Sequence, residues 1–141
     1  MRTFLDTNIL SALWMNEKPA TLIEAELVKA GQQGSLAISA FTHAECQACP
    51  GASEEFIGEF LATVGIDVDL RLPDEIWPLT GDRYAKYAER RRRTGTGLPR
   101  RILADFLIGA HAQYRADRLM TMDIAFFERN FPELRLYPLS F

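Results

Sequence analysis

The stretch Arg2-Thr3-Phe4-Leu5-Asp6-Thr7-Asn8-Ile9-Leu10, residues 2–10, decides the fold class. Its apolar run through Leu5 has the length of a buried strand, and Asp6-Thr7-Asn8 supplies side chains that cap a helix, so a strand passes at once into a helix. Working outward, the alternation repeats. Ile9, Leu10, Leu13 and Trp14 recur at helical spacing, and Pro19 and Ala20 open a second helical run with Leu22, Ile23, Leu27 and Val28 on one face, stopped by Gly31 and Gly34. Leu36 to Ser39 reads as a strand. Thr42 is an expected N-cap for a helix through Ala48, closed by Pro50-Gly51, and Ser53 caps a run carrying Phe56, Phe60, Leu61 and Val64 on one stripe. Gly65 ends that run before the strand Ile66 to Leu70. A long helix from Asp74, with Pro78 in its first turns, leads to Gly95-Thr96-Gly97. A further helix follows Asp105, then a short strand Leu119 to Thr121 and a last strand around Leu134 to Tyr137.

Strands that alternate with helices imply crossover connections, hence a three-layer α/β/α domain with a mostly parallel central sheet. The 141 residues fit a single domain, 1–141, and 48% hydrophobic with 25% charged residues is an ordinary globular composition. A domain of this length buries roughly two-thirds of its unfolded surface, so neither disulfides nor structural metal are required for a core. No apolar run is long enough to span a bilayer, and Asp6 arrives too early for a secretory segment, so a cytoplasmic location without membrane contact is expected. Cys46 and Cys49 fit a reducing compartment and read as small buried hydrophobes.

Charge is unevenly placed. The net charge is -3, which argues against a protein that coats nucleic acid non-specifically. Between Ala44 and Asp82 nine acids face one base, whereas from Arg83 to Arg101 eight bases face one acid. The basic stretch, with Arg90, Arg91, Arg92, Arg93, Arg100 and Arg101, points to a local site for phosphate and not to a general affinity for polyanions. A solvated helix face is the alternative reading of the same arginines.

In open parallel sheets ligands bind beyond the C-terminal strand ends, so acids placed just after strands are candidate site residues. Asp6 follows the first strand, Glu45 lies one turn into the helix after the second, Asp105 opens the helix before the Leu119 strand, and Asp123 lies two residues past Thr121. Carboxylates brought together repel one another, and a divalent cation compensates them; oxygen ligands select Mg²⁺ or Mn²⁺. Each acid taken singly also reads as a cap, a turn former or a surface group.

Phe4-Leu5-Asp6-Thr7-Asn8-Ile9-Leu10, Ala44-Glu45, Ala104-Asp105-Phe106-Leu107-Ile108-Gly109-Ala110-His111-Ala112, and Leu119-Met120-Thr121-Met122-Asp123 with Phe126 resemble, in order, the four motifs of PIN-domain nucleases. The resemblance spans essentially the whole chain and looks most like the VapC toxin branch of type II toxin–antitoxin modules. It implies metal-dependent endoribonuclease activity with Asp6, Glu45, Asp105 and Asp123 as catalytic and metal-holding acids, and Asn8 and Thr121 as supporting polar groups. It further implies a cognate antitoxin and a homodimer. Cys46 and Cys49 depart mildly from the family pattern.

Rival readings are a processing nuclease of the same family without an antitoxin, a domain that binds RNA without cutting it, and a phosphoryl-transfer receiver using Asp6. The last lacks a lysine after a late strand, the lysines being Lys18, Lys29 and Lys86. His43, Cys46 and Cys49 lack a fourth zinc ligand nearby. His111 is expected at a helix surface or core edge, and no hydrolase triad is evident.

Overall fold

The computed structural model describes residues 1–95 and 101–140. Four strands, β1 (Thr3–Leu5), β2 (Leu36–Ser39), β3 (Ile66–Asp69) and β4 (Arg118–Met120), form one sheet in the order β3-β2-β1-β4. All three pairings are parallel, with Phe4 opposite both Ala37 and Leu119. β1, β2 and β4 are buried along their whole length, as strands covered on both faces must be.

Side chains alternate between the faces. Leu5, Ile38, Ile66 and Met120 pack with Ile9 and Leu10 of α1 (Thr7–Trp14), Ile23 and Leu27 of α2 (Ala20–Gln33), and Ile57 and Leu61 of α4 (Glu54–Val64). Phe4, Ala37 and Leu119 face Ile76 of α5 (Ile76–Arg93), Phe106 and Ile108 of α6 (Leu103–Arg115), and Phe126 and Phe127 of α7 (Ile124–Asn130). The short α3 (Ala40–Cys46) contributes Cys46 to the first core. This is the expected three-layer α/β/α arrangement, and among the described residues no helix is long and apolar enough to cross a membrane.

Several local expectations need correction. Leu134 to Tyr137 forms no strand: a single parallel bridge joins Leu119 to Leu136, with Tyr137 N–H donating to the Leu119 carbonyl at 2.8 Å. Pro138 has no N–H with which to extend that ladder. α7 was not anticipated at all. Ser39, not Thr42, caps α3, accepting the Phe41 N–H at 3.1 Å, while Thr42 lies buried one turn in. α6 starts at Leu103, which places Asp105 inside its first turn, where a carboxylate meets the positive helix end. On α4 the buried pair is Ile57 and Leu61, whereas Phe56 and Val64 are exposed; Val28 on α2 is exposed too.

His111 is fully buried. Its Nδ1 lies 2.7 Å from Ser39 Oγ and its Nε2 2.7 Å from the Arg71 carbonyl, with Asp69 farther off at 3.9 Å. Burial holds its pKa below the usual histidine value. Ser39, His111 and Asp69 thus stand roughly in series but sealed from substrate, which makes them a core polar network and not a hydrolase triad.

Candidate active site

Because every strand runs the same way, the residues that leave the C-terminal ends of β1, β2 and β4 meet at one edge. Asp6 caps α1, accepting the Thr7 N–H at 2.7 Å. Its second oxygen accepts from the Thr121 hydroxyl at 2.7 Å and from Asn8 Nδ2 at 3.2 Å. Asn8 Oδ1 accepts the Met122 N–H at 3.1 Å, and Thr121 Oγ1 accepts the Asp123 N–H at 2.9 Å. Asn8 and Thr121 therefore bind the turn after β1 to the turn after β4, and they fix Asp6 relative to Asp123. Glu45 reaches the same edge from α3 and accepts from the Thr7 hydroxyl at 2.6 Å. Thr7 is a positioning contact that sequence reasoning missed, although it stands between two singled-out residues.

The acids sense one another. Burial pushes the Asp6 carboxyl up to about 6, against the hydrogen bonds from Thr121 and Thr7, with the charges of Asp105 and Glu45 adding to the rise. Burial also raises Asp105, opposed by Arg101 and reinforced by Glu45 and Asp123. Four carboxylates from four separate elements thus share one electrostatic neighbourhood.

Arg101 enters that neighbourhood. Its Nη1 lies 2.5 Å from Asp123 and 3.8 Å from Asp105, its backbone N–H donates to the Tyr87 hydroxyl at 3.1 Å, and its guanidinium sits 4.5 Å above the Phe126 ring. Among the described residues no three His, Cys, Asp or Glu side chains close to metal-holding separation. The chemistry of the donor set nevertheless fits a hard divalent cation. All donors are carboxylate oxygens, and Asp6 and Asp105 both hold their protons more tightly than free carboxyls do, a cost that a cation relieves.

The other arginines divide. Arg90 donates to Asn130 Oδ1 at 2.6 Å, and Arg93 lies 3.9 Å from Glu89. Arg91 faces the cavity that adjoins Asp123, and Arg92 is exposed. Arg100 lies outside the described residues. Arg129 on α7 lines the same cavity as Arg90 and Arg91 and was missed, because α7 itself was missed.

Known structures share this fold. A chain of the VapBC2 complex from Rickettsia felis, solved bound to a promoter DNA fragment, matches with 23% identity and a TM-score of 0.63 over 97% of this chain and 98% of that one. VapBC-1 from nontypeable Haemophilus influenzae matches with 25% identity and a TM-score of 0.64 over 97% of each chain. FitAcB from Neisseria gonorrhoeae matches with 18% identity and a TM-score of 0.62 over 96% of each. Comparison with curated proteins gives no match. The PIN domain model matches residues 3–132, from the first residue of β1 to just beyond α7, and so takes in every strand and all four acids: this chain belongs to the PIN domain family.

Proposed function

We propose that the chain is a metal-dependent endoribonuclease acting as the toxin of a toxin–antitoxin pair. The observation that carries the reading is the meeting of Asp6, Glu45, Asp105 and Asp123 at one sheet edge, with Asp6 held near 6 by burial and by its acidic neighbours. Asp6, Glu45, Asp105 and Asp123 would hold Mg²⁺ or Mn²⁺. Such an ion, when bound, polarises a phosphoryl oxygen and lowers the pKa of water.

The chain's own residues supply the rest. The hydrogen bonds from Thr7, Asn8 and Thr121 hold Asp6 in one orientation before substrate arrives, so little reorganisation is left for the reaction. In the reaction water attacks phosphorus as the opposite P–O bond breaks, and the acids at this edge would orient that water and receive its proton. Arg101, paired with Asp123 and close to Asp105, places a positive charge among the acids, where it would face a bound phosphodiester. Arg90, Arg91 and Arg101, which line one cavity beside Asp123, form the basic approach for RNA.

For the partner, the supporting feature is an apolar groove of about 750 Å³ on the opposite side of the sheet from α7, lined by Trp14, Leu27, Val28, Phe56, Phe60 and Val64. Exposed aromatic and aliphatic groups in a groove are interface material. VapBC2 from Rickettsia felis was solved as a complex on promoter DNA, and a complex of that kind, with an antitoxin seated in this groove, is our reading here. A homodimer and a cytoplasmic location belong to the same proposal.

Excess EDTA is expected to stop cleavage of a labelled single-stranded RNA, and Mn²⁺ or Mg²⁺ to restore it. Full cleavage in the chelator rejects the metal-dependent reading. Metal-independent binding without cleavage at any metal concentration returns the non-cleaving alternative.

A further inference from the structure

Next to the acids, and sharing Arg101 and Asp123 with them, a cavity of about 510 Å³ opens between the C-terminal half of α5 and α7. Its wall carries Arg90 and Arg91 from one helix and Arg129 from the other. Arg90 is held in place by a neutral group: it donates to Asn130 Oδ1 at 2.6 Å, and Asn130 is itself anchored by its Nδ2, which donates to the Phe126 carbonyl at 2.9 Å. Arg83 is treated differently, lying 2.8 Å from Glu133, and Arg101 faces Asp123. Burial and the positive charges of Arg129 and Arg93 hold Arg90 below the usual arginine value. Attraction to the negative helix ends accounts for Arg90 and Arg91 in the last turn of α5 and for Arg129 in the last turn of α7, but not for the two helix ends being packed so that these guanidinium groups line one cavity. Like charges assembled across two helices are unfavourable until an anion lies between them.

A second cavity of about 200 Å³, also lined by Arg90, Arg129 and Asn130, continues from this one toward Arg83 and Lys86. The two share Arg90 and Arg129 in their walls, and the second ends at Glu133, where Arg83 is paired. We propose that the α5–α7 cavity is a nucleotide subsite, in which Arg90 and Arg129 together grip one backbone phosphate of a single-stranded RNA beside the phosphate being cut. The inference rests on the nuclease reading for the identity of the anion and assigns Arg129 and Asn130 a role in substrate binding. Guanidinium groups suit this task because each presents paired N–H donors to two phosphate oxygens. Asn130 positions Arg90 without neutralising it.

The test is binding of a fluorescein-labelled, mixed-sequence single-stranded RNA decamer to the full chain in chelating buffer, where cleavage plays no part. Arg129→Ala and Arg90→Gln are each expected to weaken binding about five- to tenfold at low salt and to lower the salt slope by about 0.7, the share of one single-strand phosphate contact. Arg135→Ala removes the same charge from an exposed site beside Met1 and Asp117, at the other end of the strands, and is expected to stay within about twofold of the parent. Thermal unfolding of each variant checks that the fold is kept. Unchanged affinity in both Arg129→Ala and Arg90→Gln, or an equal loss in Arg135→Ala, overturns the subsite. Loss of binding in those two variants of a chain that cuts no RNA with Mn²⁺ removes the nuclease reading and keeps the subsite.

Discussion

Asp6→Asn is expected to lower RNA cleavage by a factor of about 10³ or more while making the folded protein more stable at neutral pH. The two effects share a cause. Asp6 is buried, and its carboxyl titrates near 6 in the folded chain against 3.8 as its ordinary value. Between those two values the folded state keeps a proton that the unfolded chain has released, so stability is fully present below about pH 4 and falls as pH rises through 6. A shift of about two units corresponds to roughly 3 kcal/mol at neutral pH. The amide carries no charge and escapes that loss, but it gives up one acceptor where Asp6 now receives Thr121 and Asn8. The net gain is therefore expected on the order of 1 to 2 kcal/mol. Urea unfolding from pH 4 to 8 measures it: the parent should lose stability across that window and the variant much less. Equal pH profiles together with near-parental cleavage would show that Asp6 is an ordinary helix cap.

Much of this site was legible because its parts are local. A carboxylate that ends an apolar strand and caps a helix is visible in four residues, and Asp6-Thr7-Asn8 takes up that role; its capping bonds are local, whereas its bonds to Glu45, Thr121 and Met122 reach far along the chain. The parallel sheet followed from alternation alone. What was not legible depends on pairs far apart in the chain. Arg101 meets Asp123 across the whole of α6 and β4, and no periodicity reports such a contact. His111 carries the pattern of a helix-face residue, yet Ser39 and the Arg71 carbonyl satisfy both ring nitrogens, which allows complete burial. Ile124 to Phe127 is a short apolar run, and such a run cannot be told from a strand by periodicity; the loss of α7 took Arg129 and Asn130 with it. Leu134 to Tyr137 alternates like a strand, but it gains only one bridge before Pro138. Phe56 and Val64 fit by spacing a stripe for a core or a dimer interface, and they are exposed because α4 turns Ile57 and Leu61 inward instead.

Phe106→Ala is expected to cost about 3 to 5 kcal/mol, a large part of the 5 to 15 kcal/mol that typically holds a domain together. The ring is fully buried directly after Asp105. It meets Tyr84 and Phe126 edge-on with centroids 5.1 Å apart, Tyr87 at 5.4 Å and Phe131 at 6.3 Å. It therefore joins α5, α6 and α7 at one point, and the packing there has no slack: a Cβ added at Gly109, one turn along α6, would stand 2.5 Å from the Phe131 ring. Alanine leaves a void among rings that belong to three helices and cannot all close on it. The consequence reaches the site through Arg101, which lies over Phe126 and donates its N–H to Tyr87, both neighbours of Phe106. Phe106→Leu keeps most of the volume and is expected to cost less than about 2 kcal/mol. Under conditions where both variants stay folded, cleavage should fall more in the alanine variant, with KM for RNA rising as Arg101 loses its support. Urea unfolding reads the first effect and initial rates the second; a loss below about 1 kcal/mol in Phe106→Ala would mean that the three helices hold their places without this ring.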